Sequence, residues 1–355
     1  MEIEINGKRI ADDAPCFITF EAGPTHNGFE NAKELIRLSA LNGADAIKFQ
    51  ILDPDRLVAD KKQLFEYDIL IDRVSGATAT VKEPLYNLLK KRSLEKQQWK
   101  DLKSYADELG LAFFATAGFE DEIELLQEIG CQSVKIASAD LNHYPLLKLA
   151  AKTDMVIQLD TGSATLGEVE MAMDVIERAG GKKVIIHQCP SGYPAHLESI
   201  HLNMITTLRS MFDCPVAFSD HTPGWEMDIA AIALGANLIE KTITLDRMTK
   251  SVEHVMSIDP SQMTSFVKSV RDLEVALGNS RRSLTQTQVE CRKAVRRSLF
   301  LVEGGKEGDK LADCTWEYRR PGFGIGPEHH DRLLKAKLNK DVKNGSMISW
   351  DSISW

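Results

Sequence analysis

Eight times between Cys16 and Thr242, a short β-branched or aromatic run stops at residues capable of chemistry. Cys16–Phe20 ends at Glu21, Ala46-Ile47 at Lys48 and Gln50, Leu111–Phe114 at Thr116, and Ser133-Val134 at Lys135 and Ser138. Met155–Leu159 ends at Asp160, Lys183–Ile186 at His187 and Cys189, Pro215–Phe218 at Ser219-Asp220-His221, and Asn237–Ile239 at Glu240-Lys241-Thr242. Polar groups at one end of successive buried strands are the mark of a (β/α)8 barrel (TIM barrel), whose active site is assembled from the loops at the strand C-termini. Segments of helical period lie between the runs. Asn31–Leu41 halts at Gly43, Thr165–Glu168 is a capping-box opening, and Asp259-Pro260-Ser261-Gln262 joins an N-cap to a first-turn proline. Strand–helix alternation at this spacing predicts a parallel sheet. A doubly wound open sheet fits less well, because no Gly-x-Gly-x-x-Gly follows the first strand.

A barrel takes roughly 250 residues, so 355 residues predict a second, smaller domain. The barrel pattern ends near Leu277-Gly278. The expected division is a barrel over 1–280, a polar and basic linker or helical connector over 281–296, and a small α+β module over 297–355. That last part has short apolar runs and turns such as Gly304-Gly305 and Asn344-Gly345. The connection from Leu52 to Arg92 is long enough to be a lid, a binding wall or a decoration with its own packing surfaces. A net charge of -9 argues against nucleic acid or an anionic membrane as partner. Six scattered cysteines without a Cys-x-x-Cys pair read as reduced thiols of a cytoplasmic protein.

Inward-pointing Lys48 and Lys135 would either hold an anion or form salt bridges within the barrel mouth. Thr116, Ser138 and Ser219 would either donate to that anion or cap strand ends. Glu21 would order water, or pair with a lysine.

Several strings together resemble the sialic acid synthase family, the phosphoenolpyruvate-dependent synthases of nine-carbon 2-keto sugar acids. They are Phe20-Glu-Ala-Gly-Pro-Thr-His-Asn-Gly28, Gly43-Ala-Asp-Ala-Ile-Lys-Phe-Gln50, Lys135-Ile-Ala-Ser138, Tyr193-Pro194-Ala195, Ser219-Asp-His-Thr222 and Ala233–Lys241. Arg319-Arg-Pro-Gly322 and Lys340–Gly345 resemble that family's antifreeze-like (SAF) C-terminal domain. The resemblance implies condensation of phosphoenolpyruvate with an open-chain amino-sugar aldehyde, giving a nonulosonic acid and phosphate. It assigns Lys48, Lys135, Ser138 and Ser219 to the phosphoenolpyruvate, with Gln50 close by, and Tyr193 to the sugar. Glu21 and Asp140 take acidic catalytic positions, Asp140 standing where relatives carry Glu. It further implies a domain-swapped homodimer in which Arg320 reaches the partner's sugar site, and a divalent ion, Mn or Mg, on two histidines. His221 matches the first histidine; Thr242 stands in place of the second. Asp160, where relatives carry Ser, is a candidate compensating ligand, as are His187, Cys189 and Glu240. Two other classes stay open on the sequence: a Schiff-base aldolase using Lys135 or Lys241, and a non-catalytic sugar-binding protein.

Overall fold

The eight runs close into a barrel. The computed structural model describes residues 2–278 and 280–355. Its barrel strands are β1 (Phe17–Glu21), β2 (Ala46–Gln50), β3 (Ala112–Thr116), β4 (Ser133–Ile136), β5 (Val156–Asp160), β6 (Val184–Gln188), β7 (Val216–Asp220) and β8 (Leu238–Thr242). All neighbours pair in parallel, in chain order, and β8 closes on β1. A helix follows each strand: α1 (Phe29–Leu41), α2 (Lys96–Glu108), α3 (Glu120–Glu128), α4 (Tyr144–Ala151), α5 (Leu166–Arg178), α6 (Met204–Met211), α7 (Glu226–Ala233) and α8 (Pro260–Leu277). The expected helix signals do their local work. Thr165 and Glu168 exchange capping bonds at the start of α5, and Asp259 and Gln262 do so at α8.

Period-2 alternation sorts the strand residues into two environments. One set, including Ile18, Phe20, Ile47, Phe49, Val134 and Leu159, packs against helix residues such as Leu35, Leu102 and Leu126. The other set faces the barrel axis. Its lower layer is apolar: Phe17, Ala46, Ala112, Val156, Ile185, Ala217 and Leu238 meet Ile3, Ile5 and Ile10. Those isoleucines come from an N-terminal hairpin, Ile3–Ile5 paired with Lys8–Ile10. Its tight turn is Asn6-Gly7, with φ of 52° and 73°. The hairpin plugs the N-terminal end of the barrel, so ligands must enter from the other end.

The long β2–α2 connection is a structured wall. It comprises a short helix (Pro54–Leu57), an antiparallel hairpin (Leu64–Leu70 with Thr78–Pro84) and a helix (Leu85–Lys90). Tyr67, Ile69 and Leu88 pack with Val252 from the segment after β8. The chain divides into two compact units, Met1–Gly278 and Asn279–Trp355. Within the stretch expected as a linker or connector, Gln286–Val295 is helical, opened by a Thr285–Gln288 capping box. The second unit is built on short antiparallel pairs, Ser298–Leu301 with Trp316–Arg319 and Lys337–Leu338 with Ile353–Ser354. Its core includes Leu299, Leu301, Leu311, Ile325 and Ile348. Among the described residues no helix is long and apolar enough to cross a membrane.

Lys241 belongs to the outward set. Its ammonium pairs with Asp220, with Asp228 of α7 3.6 Å away. All three are essentially fully buried. Burial, then the neighbouring Asp220 charge, drives the Asp228 carboxyl far above the ordinary range, and Asp220 is the direct partner of Lys241. This contradicts a Schiff-base role for Lys241, which faces the helix layer and not the axis. Lys241→Met would strand Asp220 without its cation and is expected to cost about 3–5 kcal/mol, measured by denaturant unfolding. Wild-type stability with altered turnover would contradict the structural assignment.

Candidate active site

Above the apolar plug the barrel axis carries a layer of buried polar side chains: Thr19, Lys48, Lys135, Gln158, His187, Ser219 and Glu240. Seven polar groups sealed from water are costly unless they satisfy one another. Among the described residues Thr19 Oγ1 is the one group of the seven without a partner, while Glu240 serves two of the others. Its Oε1 accepts from Lys48 Nζ at 2.6 Å and its Oε2 from Lys135 Nζ at 2.8 Å, so one carboxylate bridges the two ammonium groups. Lys48 also pairs with Glu21, its cross-strand partner. Lys135 also meets Asp160 Oδ1 at 2.9 Å and Ser219 Oγ at 3.1 Å.

The lysine on β4 is aimed by a relay of directional bonds. Ser133 Oγ donates to the Val156 carbonyl and accepts from Gln158 Nε2, both at 2.9 Å. Gln158 Oε1 lies 3.0 Å from His187 Nε2. The network assigns the proton to that nitrogen, leaving Nδ1 to accept from Lys135 at 3.0 Å. Burial, then Lys135, pulls the His187 imidazole well below its ordinary range, so it is neutral. Burial pulls Lys135 down, but Asp160 and Glu240 outweigh it and the net shift is upward. Lys135 is therefore a held cation and a poor amine nucleophile, which speaks against the Schiff-base reading. Glu240 is pushed up by burial and pulled further down by Lys135 and Lys48, so it stays ionised.

A cavity of about 430 Å³ opens over this layer at the C-terminal end of the strands. Glu21, Lys48, Gln50, Thr116, Ser138, Asp140, Tyr193 and His221 line it. Lys135 and Ser219 lie against its floor through Asp160 and Glu240. Ten of the eleven expected site residues thus converge. Arg320 belongs to the second unit, exposed just after the strand Trp316–Arg319. Close approach shapes the rim. A Cβ on Gly23 would lie 2.7 Å from the Gln50 amide nitrogen, and one on Gly162 would lie 2.8 Å from the Cys189 carbonyl. Asp140 sits in the turn Ser138–Asp140, half-buried, and burial holds its carboxyl above the usual range. The Tyr193 ring packs on the His221 imidazole, centroids 4.6 Å apart.

The donor set fits a divalent ion in part. His221 Nδ1 lies 2.9 Å from the Pro190 carbonyl, which fixes the proton there and leaves Nε2 as the nitrogen available to a ligand. Thr242 on the adjoining strand is buried and offers only a hydroxyl. Among the described residues no group of three His, Cys, Asp or Glu side chains stands ready for a metal.

Residues 35–282 match the NeuB family. The chain belongs to that family. It is 32% identical to the N,N'-diacetyllegionaminic acid synthase of Legionella pneumophila, over 99% of this chain and 98% of that one. Among solved structures, it is similar to an N-acetylneuraminic acid (sialic acid) synthetase from Leptospira borgpetersenii in complex with citrate. That match has a TM-score of 0.69 and 28% identity, and covers 83% of this chain and 97% of that one. The spore coat polysaccharide biosynthesis protein SpsE of Bacillus subtilis matches with a TM-score of 0.66 and 28% identity, over 100% of this chain and 99% of that one.

Four cavity or floor residues were not singled out from the sequence for the roles that the geometry gives them. Glu240 and His187 were weighed only as metal ligands, yet they position the lysines. Their inward phase on β8 and β6 was the available signal. Arg92 and Glu122 also line the cavity, and both lie outside strands, where no period points to them. Glu122 accepts the Gly118 and Phe119 amides at 2.7 and 3.1 Å. Burial nonetheless lifts its carboxyl to about 7. A raised carboxyl pKa favours the folded state below the unfolded value of 4.5, and that contribution is lost as pH rises through about 7. Glu122→Gln, which keeps an acceptor for both amides, is expected to match the parent near pH 4.5 and to exceed it by about 1–3 kcal/mol at pH 8. Unfolding curves at the two pH values check this, and a gain that is equal at both would contradict the assignment.

Proposed function

We propose that this protein condenses phosphoenolpyruvate with an open-chain hexosamine-type aldehyde, giving a nonulosonic acid and inorganic phosphate. The observation that carries the reading is the convergence of Lys48 and Lys135 on one carboxylate at the floor of a 430 Å³ cavity. It is joined to membership of a family in which one relative is named a legionaminic acid synthase and another a pseudaminic acid synthase. A trianionic substrate needs several donors, and each charge-assisted bond contributes about 1.5–3 kcal/mol.

In this reading the phosphate and carboxylate exchange places with Glu240 and Asp160 as partners of the two lysines. Ser138, Ser219, Thr116 and Gln50 add neutral donors at the same rim. The methylene carbon of phosphoenolpyruvate attacks the aldehyde carbon, and the aldehyde oxygen takes a proton, for which the Asp140 carboxyl, raised by burial, is a candidate acid. Water, ordered by Glu21, adds to the resulting cationic carbon; one of its protons restores the Asp140 carboxyl and the other leaves with the phosphate. The carbon–oxygen bond to phosphate then breaks, leaving the 2-keto acid. His221, with Asp160, would hold a divalent ion such as Mn or Mg, which when bound polarises the aldehyde oxygen. Tyr193 lines the sugar side. Arg320, from the second unit of a partner in a swapped dimer, would complete it with a planar fork of donors.

Phosphate release from phosphoenolpyruvate, assayed with a panel of N-acetylhexosamines with and without manganese, tests the reading. Lys48→Ala is expected to raise the KM for phosphoenolpyruvate roughly tenfold to a hundredfold. Absence of phosphate release with every aldose would sink the proposal and favour a non-catalytic sugar-binding protein. Three carboxylates (Glu21, Asp160, Glu240) face two ammonium groups here, so Asp160→Asn removes a charge that repels the substrate. It is expected to tighten phosphoenolpyruvate by about 1 kcal/mol, roughly fivefold, and to weaken manganese. Unchanged manganese affinity would dismiss Asp160 as a compensating ligand.

A further inference from the structure

Among the described residues, Arg92 is the one buried guanidinium at the cavity wall. It follows the helix Leu85–Lys90 and is 2% exposed. Its Nη2 donates to Ser251 Oγ at 2.8 Å, and its Nε has no partner. Among the described residues no carboxylate lies within ion-pairing distance of it. Glu253 and Glu83 attract it through space but make no salt-bridge contact with it. Glu83 is engaged by the Tyr67 hydroxyl. The carboxyl of Glu253 is lifted to about 7 by burial, against the pull of Arg92 and Lys48. Burial, then Arg92, lowers His26 and His254 to about 4 each, so both are neutral. A cation sealed from water with one neutral partner is costly unless a ligand completes it.

The surroundings say where such a ligand would sit. Phe65, Leu85, Leu88 and Val252 form an apolar wall beside Arg92 in the same cavity that Lys48 and Asp140 line. Glu253 lies within electrostatic reach of both Arg92 and Lys48. The cavity therefore carries cationic donors at two places, the paired lysines over the barrel axis, which carboxylates already meet, and a single guanidinium on the β2–α2 wall, which none contacts. Guanidinium presents its donors in a planar fork that matches a carboxylate or phosphate edge.

We propose that Arg92, held by Ser251, reads an oxyanion on the acceptor, so that the aldehyde substrate is an anionic aldose carrying a carboxylate or a phosphate monoester. This rests on the synthase reading above and names the acceptor class for that site.

Calorimetric binding to the full chain in the presence of phosphoenolpyruvate tests it. The ligands are N-acetylmannosamine, its 6-phosphate, mannuronic acid, and inorganic phosphate as the free-anion control. The expected result is that one anionic aldose binds at least tenfold tighter than N-acetylmannosamine and also tighter than inorganic phosphate. The phosphate and uronate arms tell the two anions apart. Arg92→Gln is expected to bring the anionic and neutral sugars within about twofold, and Arg92→Lys to retain part of the preference. Phosphoenolpyruvate affinity is expected to move less than threefold in both. Equal binding of neutral and anionic sugars by the wild type would overturn the proposal, a result that needs no variant to fold. So would a preference that survives Arg92→Gln, or a loss of phosphoenolpyruvate affinity as large as that of the sugar. If the synthase reading alone fails, no acceptor releases phosphate, yet the Arg92-dependent preference for anionic sugars remains measurable.

Discussion

Glu240 holds two lysines that would otherwise repel each other inside a barrel closed to water. Charges in such a place persist only when paired and further hydrogen-bonded, and here every member meets that condition. Lys48 has Glu21 and Glu240, and Lys135 has Glu240, Asp160, Ser219 and a neutral His187. The plug of Ile3, Ile5 and Ile10 beneath keeps water out from below and makes the cluster accessible from one side only. The cavity above, its lining and its polarity all follow from that arrangement.

The same cluster has a consequence for substrate binding. The lysines are not vacant in the free protein, because protein carboxylates occupy their donors. An entering anion must replace those partners, so the net affinity is a difference between two sets of strong bonds. Asp160 tilts this difference. It adds a third carboxylate to those of Glu21 and Glu240, and it sits on the strand next to His187.

Much of the barrel was legible before any coordinates, because a parallel strand buried on both sides must be apolar along its length. A charge in such a run therefore stands out. Glu21, Lys48, Lys135, Asp160 and Glu240 were visible for that reason, and alternation then fixes which of them face the axis. The residues that were missed or misassigned lie where no period applies or where phase was not followed. Arg92 and Glu122 enter the cavity from a connection and from a helix start. Lys241 was weighed as a nucleophile, although it is one residue out of phase with Glu240 and so faces Asp220 and Asp228. The stretch 281–296 was read as a linker or connector; it falls within the second unit and contains the helix Gln286–Val295, whose side chains are not buried. A solvated helix has a weaker apolar period than a packed one.

The sequence by itself determined the eight strand–helix units, the end of the barrel that carries chemistry and most of the groups found there, since local periodicity and the cost of burying charge act along the chain. Only the tertiary structure decided that one carboxylate joins two lysines across the axis, that a histidine–glutamine relay aims one of them, and that the β2–α2 wall brings an unpaired guanidinium to the same cavity. Those are contacts between residues as many as 192 positions apart, such as Lys48 and Glu240. Their geometry is set by the closure of the sheet and the register of its strands, which no local pattern encodes.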